Sequence, residues 1–475
     1  MRSALALLFA SSFVFASSAP RQEDDLKTKA KKMKAEVKKI RGLDFKSDVT
    51  VGVYSRDELL KFIVEEFEKE LPRPKAKRYE KAYKHLGLLP NRDDWDLYDS
   101  LITLYRDSIA GFYHPKTKEL RLVNDGAEGM EAKLMADITL VHELCHAAQD
   151  QNFNLVTVPL EEEYNDDVVA AVKCLVEGEA SIVGWKHGLK GMFDTMIDRI
   201  NSSYKTGELP GEAGKLPAYL RLTLTFSYGY GCEFVLACLK GYENDWTKIS
   251  KMYEDLPSSS EQVLHPEKYW KERDYPQVVT LPLLPKDWQL LCHNVHGEFP
   301  IRVVLRELKA GTKKEVEQAA AGWDGDRYYV YEREGKVSSV WYSTWDSEKD
   351  AKEFVEAYQK ALGFKHKGSK TSEKEGVVLL HLEDKLVAWL EQRGSDVLVL
   401  DGDAKLTEHA DRLWKEAKKE ELKTVERFKA GSWTCEEHPK VDKDTNSYCP
   451  ECGKRLTKER PKKDSGEDKP KKDYR

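Results

Sequence analysis

The spacing of apolar and polar residues divides the chain into alternating helical and extended stretches. Residues 23–43 (EDDLKTKAKKMKAEVKKIRGL) favour helix but have little apolar face, which predicts a solvated helix or tether. DVTVGVYS (48–55) alternates apolar and polar residues, the period of a strand, and RDELLKFIVEEFEKEL (56–71) repeats apolar residues at helical spacing. AGFYHPKTKELRLV (110–123) predicts a hairpin turning at Pro115 and Lys116. Two helices follow, one carrying VHELCHAAQDQ (141–151) and one over roughly Asp166 to Leu189. From there to about residue 320 the pattern is mostly helical, with proline-containing loops such as EDLPSSSEQVLHPEKYW (254–270).

The pattern changes near Gly325. RYYVYEREGKVSSVWYSTW (327–345) predicts two strands, SEKDAKEFVEAYQKAL (347–362) a helix capped by Ser347, and residues 376–384, 385–392 and 396–402 three more strands. This is a small α+β unit, and a charged helix is expected after it to about Lys429. The whole is an α+β protein. Its expected divisions are a signal segment 1–18, a charged helical lead 19–45, a main domain 46–324, the small α+β domain 325–403, the charged helix 404–430, a cysteine-bearing module 431–457 and a charged, disordered tail 458–475.

Composition narrows the class. The 475 residues hold 77 Lys+Arg against 83 Asp+Glu, a formal net charge of −6, which argues against nucleic-acid binding. The start, MRSALALLFASSFVFASSAP, has one arginine, an apolar run and small residues around Ser18, the pattern of a secretory signal peptide. No later segment is expected to span a membrane, so a secreted or periplasmic protein is expected. Eight cysteines are too sparse for a disulfide scaffold in a chain of this length.

The chemistry concentrates in two places. His142, Glu143 and His146 form H-E-x-x-H; on a helix the two imidazoles project from one face and can share a Zn²⁺, while Glu143 lies about 100° away and reaches a water held by the metal. Glu143 then serves as the base as that water attacks a carbonyl. The third ligand is sought on the next helix, in KCLVEGEASIVGW (173–185), where Glu177 and Glu179 face opposite ways. Glu177 shares its face with the small residues Ala170, Cys174, Ser181 and Gly184, which favours it, because small residues let helices approach. Tyr228, Tyr230 and His265 are candidates to stabilise an oxyanion, with Tyr230 and His265 assigned that role. The second place is WTCEEHPKVDKDTNSYCPECGKRL (433–456): Cys435-x-x-His438 and Cys449-x-x-Cys452 fit a closed tetrahedral metal site. Its ligands are local, so it is expected to fold independently around its own ion.

HELCH followed by EGEA on a later helix resembles the gluzincin metallopeptidases. The segments 41–51, 110–123, 142–155, 175–180, 257–269, 319–327 and 345–354 are similar to a group of secreted bacterial proteins of that kind. The resemblance implies a mostly helical catalytic domain with a small edge sheet, Glu177 as third ligand, and an edge strand, AGFYH, that holds substrate by strand addition. It also opens a Cys145–Cys174 disulfide if the two helices pack at those positions. Residues 433–456 resemble the heavy-metal-binding, zinc-ribbon-like modules of bacterial envelope proteins, with Glu437 and Lys454 where those often carry methionine, which favours zinc. The expected function is therefore peptide-bond hydrolysis with one catalytic and one structural zinc, acting on a peptide or protein. The alternative is a non-enzymatic metal-binding scaffold.

Overall fold

The computed structural model describes residues 9–11, 22–124, 126, 129–374, 376–435, 438, 440–447, 449–450 and 456–458. Most of the expected signal segment, Glu437, Cys452, Lys454 and the tail after 458 lie outside the described residues. The first half runs β1 (Phe9–Ser11), α1 (Gln22–Arg41), β2 (Thr50–Ser55), α2 (Arg56–Glu70), α3 (Arg73–His85), α4 (Leu97–Ser108), β3 (Gly111–His114), β4 (Glu119–Asn124), α5 (Met130–Phe153), α6 (Asp166–Leu189), α7 (Phe193–Lys205) and α8 (Ala218–Gly241). Three short helices follow, α9 (Trp246–Lys251), α10 (Ser260–Leu264) and α11 (Glu267–Trp270), then β5 (Gln277–Thr280), β6 (Gln289–Asn294), α12 (Glu298–Glu307) and α13 (Lys313–Ala320). The second half contains β7 (Trp323–Arg333), β8 (Lys336–Trp345), α14 (Glu348–Lys365), β9 (Lys370–Lys374), β10 (Val377–His381), β11 (Leu386–Arg393), β12 (Asp396–Asp403) and α15 (Ala410–Glu416). β13 (Lys418–Glu421), β14 (Ala430–Thr434), β15 (Asp442–Thr445) and β16 (Thr457–Lys458) end it. The protein is α+β, as its patterning predicts.

Local signals explain many of these boundaries. Ser55 and Glu58 form a reciprocal capping box that starts α2, and Leu59, Ile63 and Phe67 recur every four residues on its buried face. Asn165 caps α6 and Ser347 caps α14 through their side-chain oxygens. The first sheet has the order β1-β3-β4-β2, with β2 parallel to β4. Its β3 lies against α5. At Gly111 an added Cβ would stand 2.8 Å from Thr139 Cγ2, so this approach needs glycine.

Glycines also let α6 pack closely against α8 and α5. A Cβ on Gly178 of α6 would fall 2.2 Å from Gly231 O of α8, and one on Gly184 would stand 3.0 Å from Ile138 O of α5. Gly178→Ala is expected to lower stability by about 1–3 kcal/mol or more, read as the urea midpoint of the metal-free protein. Alanine's helix propensity offsets only about 1 kcal/mol, and the obstructing atom is backbone that cannot rotate away.

Several long-range features depart from the pattern. α1 is not a free tether: Ala30 and Val37 are buried, and Arg41 is buried with them. α8 is long and apolar enough to cross a membrane, against expectation, but most of it is buried against α6 and α7. The helix expected over 404–430 ends at Glu416. Lys418–Glu421 pairs instead with Gln277–Thr280, a partner distant in sequence that outweighs the helix-forming tendency of KKEE. The second sheet begins before Gly325, with order β6-β7-β8-β12-β11-β10-β9. Its β6 is separated from β7 by α12 and α13, so no local pattern joins them. Tyr328 and Val330 enter a core shared with α5 and α6, while Tyr329 and Tyr331 face the opposite side with Trp288 and Leu413.

Candidate metal centre

α5 and α6 bring three predicted ligands together. His142 Nε2 lies 2.9 Å from His146 Nε2 and 3.1 Å from Glu177 Oε2, and His146 Nε2 lies 3.4 Å from that same oxygen. All three side chains are buried. Ligands at zinc bond lengths in a tetrahedron stand about 3.3 Å apart, so the triangle needs only a small expansion to accept the ion. Two imidazole nitrogens this close, both facing one carboxylate oxygen, need a hydrogen or a metal between them, since lone pairs alone would repel.

The electrostatics agree with that requirement. Burial lowers the His142 imidazole to about 4, against the pull of Glu177. Burial also opposes charge on His146, yet the Glu177 carboxylate overrides it and leaves that imidazole raised, helped by Glu143. Burial alone would raise Glu177, but the histidines hold its carboxyl at about 2. Glu177 thus favours positive charge on His146, and the histidines favour negative charge on Glu177.

Glu179 has a different task. Its carboxylate accepts from Arg41 Nε at 2.7 Å, from Arg41 Nη2 at 3.3 Å and from the Tyr253 hydroxyl at 3.1 Å. It anchors α1 against α6, so the two glutamates divide between metal face and packing face. Cys145 is a buried thiol near Arg41 and Glu179, whereas Cys174 Sγ points to Phe226 O at 3.9 Å. The two cysteines belong to different interfaces, which corrects the Cys145–Cys174 disulfide.

Of the candidate oxyanion residues, the structure brings Tyr228 to the cluster. Its ring stacks on His142 with centroids 6.3 Å apart, and Tyr204 stacks on Tyr228 at 5.7 Å. Tyr230 packs instead on Phe226 and Phe299 with Lys205 over its ring, and His265 bonds to Glu298 at 3.1 Å beside Arg302. Both side chains are thus engaged with partners outside the ligand triad. Residues 228 and 230 face about 200° apart on α8, so only one could point there. Tyr204 was not legible in the sequence, since nothing local marks α7 as a neighbour of the motif.

At the second site, Cys435 Sγ and Cys449 Sγ lie 3.6 and 3.7 Å from His438 Nδ1. Sulfur and nitrogen ligands of one tetrahedral zinc stand about 3.6 Å apart. These three groups fit an ion; the fourth expected ligand, Cys452, lies outside the described residues. The module is docked rather than detached. Arg427 bonds to Phe153 O, to Asn154 O at 3.2 Å and to Thr157 Oγ1 at 3.0 Å, and His293 Nε2 donates to Pro450 O at 2.9 Å. It thus sits over the connection between α5 and α6. Cys449→Ser with Cys452→Ser is expected to remove one metal per chain and leave the ion at the histidines, read by elemental analysis. Loss of both ions would mean that the two sites form as one unit.

Residues 289–412 match a domain family of unknown function, DUF8575. The match starts at the first residue of β6 and ends within α15, so it covers the second sheet and not the metal-motif helices. No curated protein and no solved structure matches the chain.

Proposed function

We propose that the chain is a secreted or periplasmic zinc-dependent peptidase, with one catalytic zinc at His142, His146 and Glu177 and one structural zinc at Cys435, His438, Cys449 and Cys452. The observation that carries this reading is the convergence of the three donors on one point, with Glu143 one residue from His142 on the same helix. Bound there, zinc would supply a Lewis acid and lower the pKa of water to about 7. Glu143 would take the proton from the attacking water and pass it to the leaving amine. Tyr228, whose ring stacks on His142, would be the donor to the developing oxyanion in place of Tyr230 or His265.

Substrate would lie along β3. The strand Phe9–Ser11 is paired there, antiparallel to Gly111–Tyr113 and beside α5, which supports an edge able to hold an extended peptide by main-chain hydrogen bonds. The second reading, a non-enzymatic metal-binding scaffold, is favoured by one feature: Glu143 and His146 are fully buried. Metal analysis run beside cleavage of a peptide library separates the two. Bound zinc with no cleaved peptide would reject the peptidase.

A further inference from the structure

We infer that Gln149 is the positioning residue of the ligand cluster: its amide bridges α5 and α6 and fixes His146 in the tautomer whose Nε2 is free to ligate. The inference rests on the metal-binding reading of that cluster. Gln149 is fully buried and lies three residues after His146. Its Oε1 stands 2.7 Å from His146 Nδ1, and its Nε2 stands 3.0 Å from Val176 O.

The orientation of the amide follows from its partners. A main-chain carbonyl can only accept, so the amide nitrogen must face Val176 O. The amide oxygen is then left toward His146, and it too can only accept. His146 Nδ1 must therefore carry the hydrogen. In the neutral ring this leaves Nε2 as a lone pair, aimed at His142 Nε2 and Glu177 Oε2. Val176 immediately precedes Glu177, so the same amide ties the histidine ligand of α5 to the backbone beside the carboxylate ligand of α6. The close passage of Gly184 over Ile138 O leaves the helices little freedom to move apart. Partners of this kind typically contribute a factor of about 10–100 to metal affinity.

Two substitutions separate orientation from packing. Gln149→Met keeps the bulk and removes both bonds. Gln149→Glu keeps an acceptor for His146 Nδ1–H but loses the donor to Val176 O. Affinity is measured on the full chain by chelator competition for Zn²⁺. The spectrum of the Co²⁺-loaded protein reports ligand geometry, with the cysteine site distinguished by its sulfur-to-metal absorption. Unfolding of the metal-free variants by urea gives the packing contribution. Gln149→Met is expected to lose affinity about 10–100-fold and to change the Co²⁺ spectrum. Gln149→Glu is expected to retain most of the affinity while losing stability in the metal-free state. Wild-type affinity in Gln149→Met, or an equal loss in both variants, would overturn the inference and leave Gln149 a packing residue. A wild-type chain that binds no ion at the histidines would instead bring down the metal-binding reading, and this inference with it.

Discussion

Glu143→Gln is expected to keep both metals and to lose peptide hydrolysis by about 10²–10⁴-fold, the usual contribution of a general base. Glu143 is adjacent to His142, but the donors that converge are His142, His146 and Glu177. The amide preserves shape and one acceptor oxygen, and it removes the charge and the oxygen that would take the proton. Metal content by elemental analysis and turnover of a small peptide, measured on one preparation, give the answer. Near-normal turnover would exclude Glu143 as the base, and loss of metal would place it among the groups that hold the ion.

Glu177→Ala and Glu179→Ala are expected to fail in different ways, although the residues are two apart. Glu177→Ala removes one of three donors and should release the metal from the histidine site, exceeding the ~10–100-fold loss seen when only an outer partner is removed. The metal-free protein should stay folded, because Glu177 faces the two histidines rather than a packing interface. Glu179→Ala leaves Arg41 buried without its carboxylate. Breaking a buried pair on one side costs about 3–5 kcal/mol, enough to unfold a protein of ordinary stability or strip α1 from α6. Urea unfolding of the metal-free variants, together with metal content, distinguishes these results. Loss of metal from Glu179→Ala with stability unchanged would reverse the assignment of the two faces.

How much of this was legible follows from how far apart the interacting residues lie. His142, Glu143 and His146 are local, and helical periodicity alone places them on one turn of α5. The preference for Glu177 rested on a face of small residues, of which Gly184 does meet α5 while Cys174 turns to α8. Strand alternation and capping residues located β2, β3, β4, α2, α6 and α14. These are properties of a few consecutive residues, where backbone geometry restricts the options.

Tertiary structure decided the rest. Arg41 reaches Glu179 across 138 residues, turning an apparently solvated helix into a packed one. The role expected for Tyr230 falls to the Tyr228 side of α8, since which of the two faces His142 depends on how α8 crosses α6 at Gly178 and Gly231. The same crossing buries the apolar side chains that make α8 resemble a membrane span. β6 joined the second sheet across two helices, and Lys418–Glu421 left its expected helix for a strand partner more than a hundred residues earlier. A sequence pattern states which side chains share a face; only the folded chain settles what each face meets, because that choice is made by packing the whole core at once.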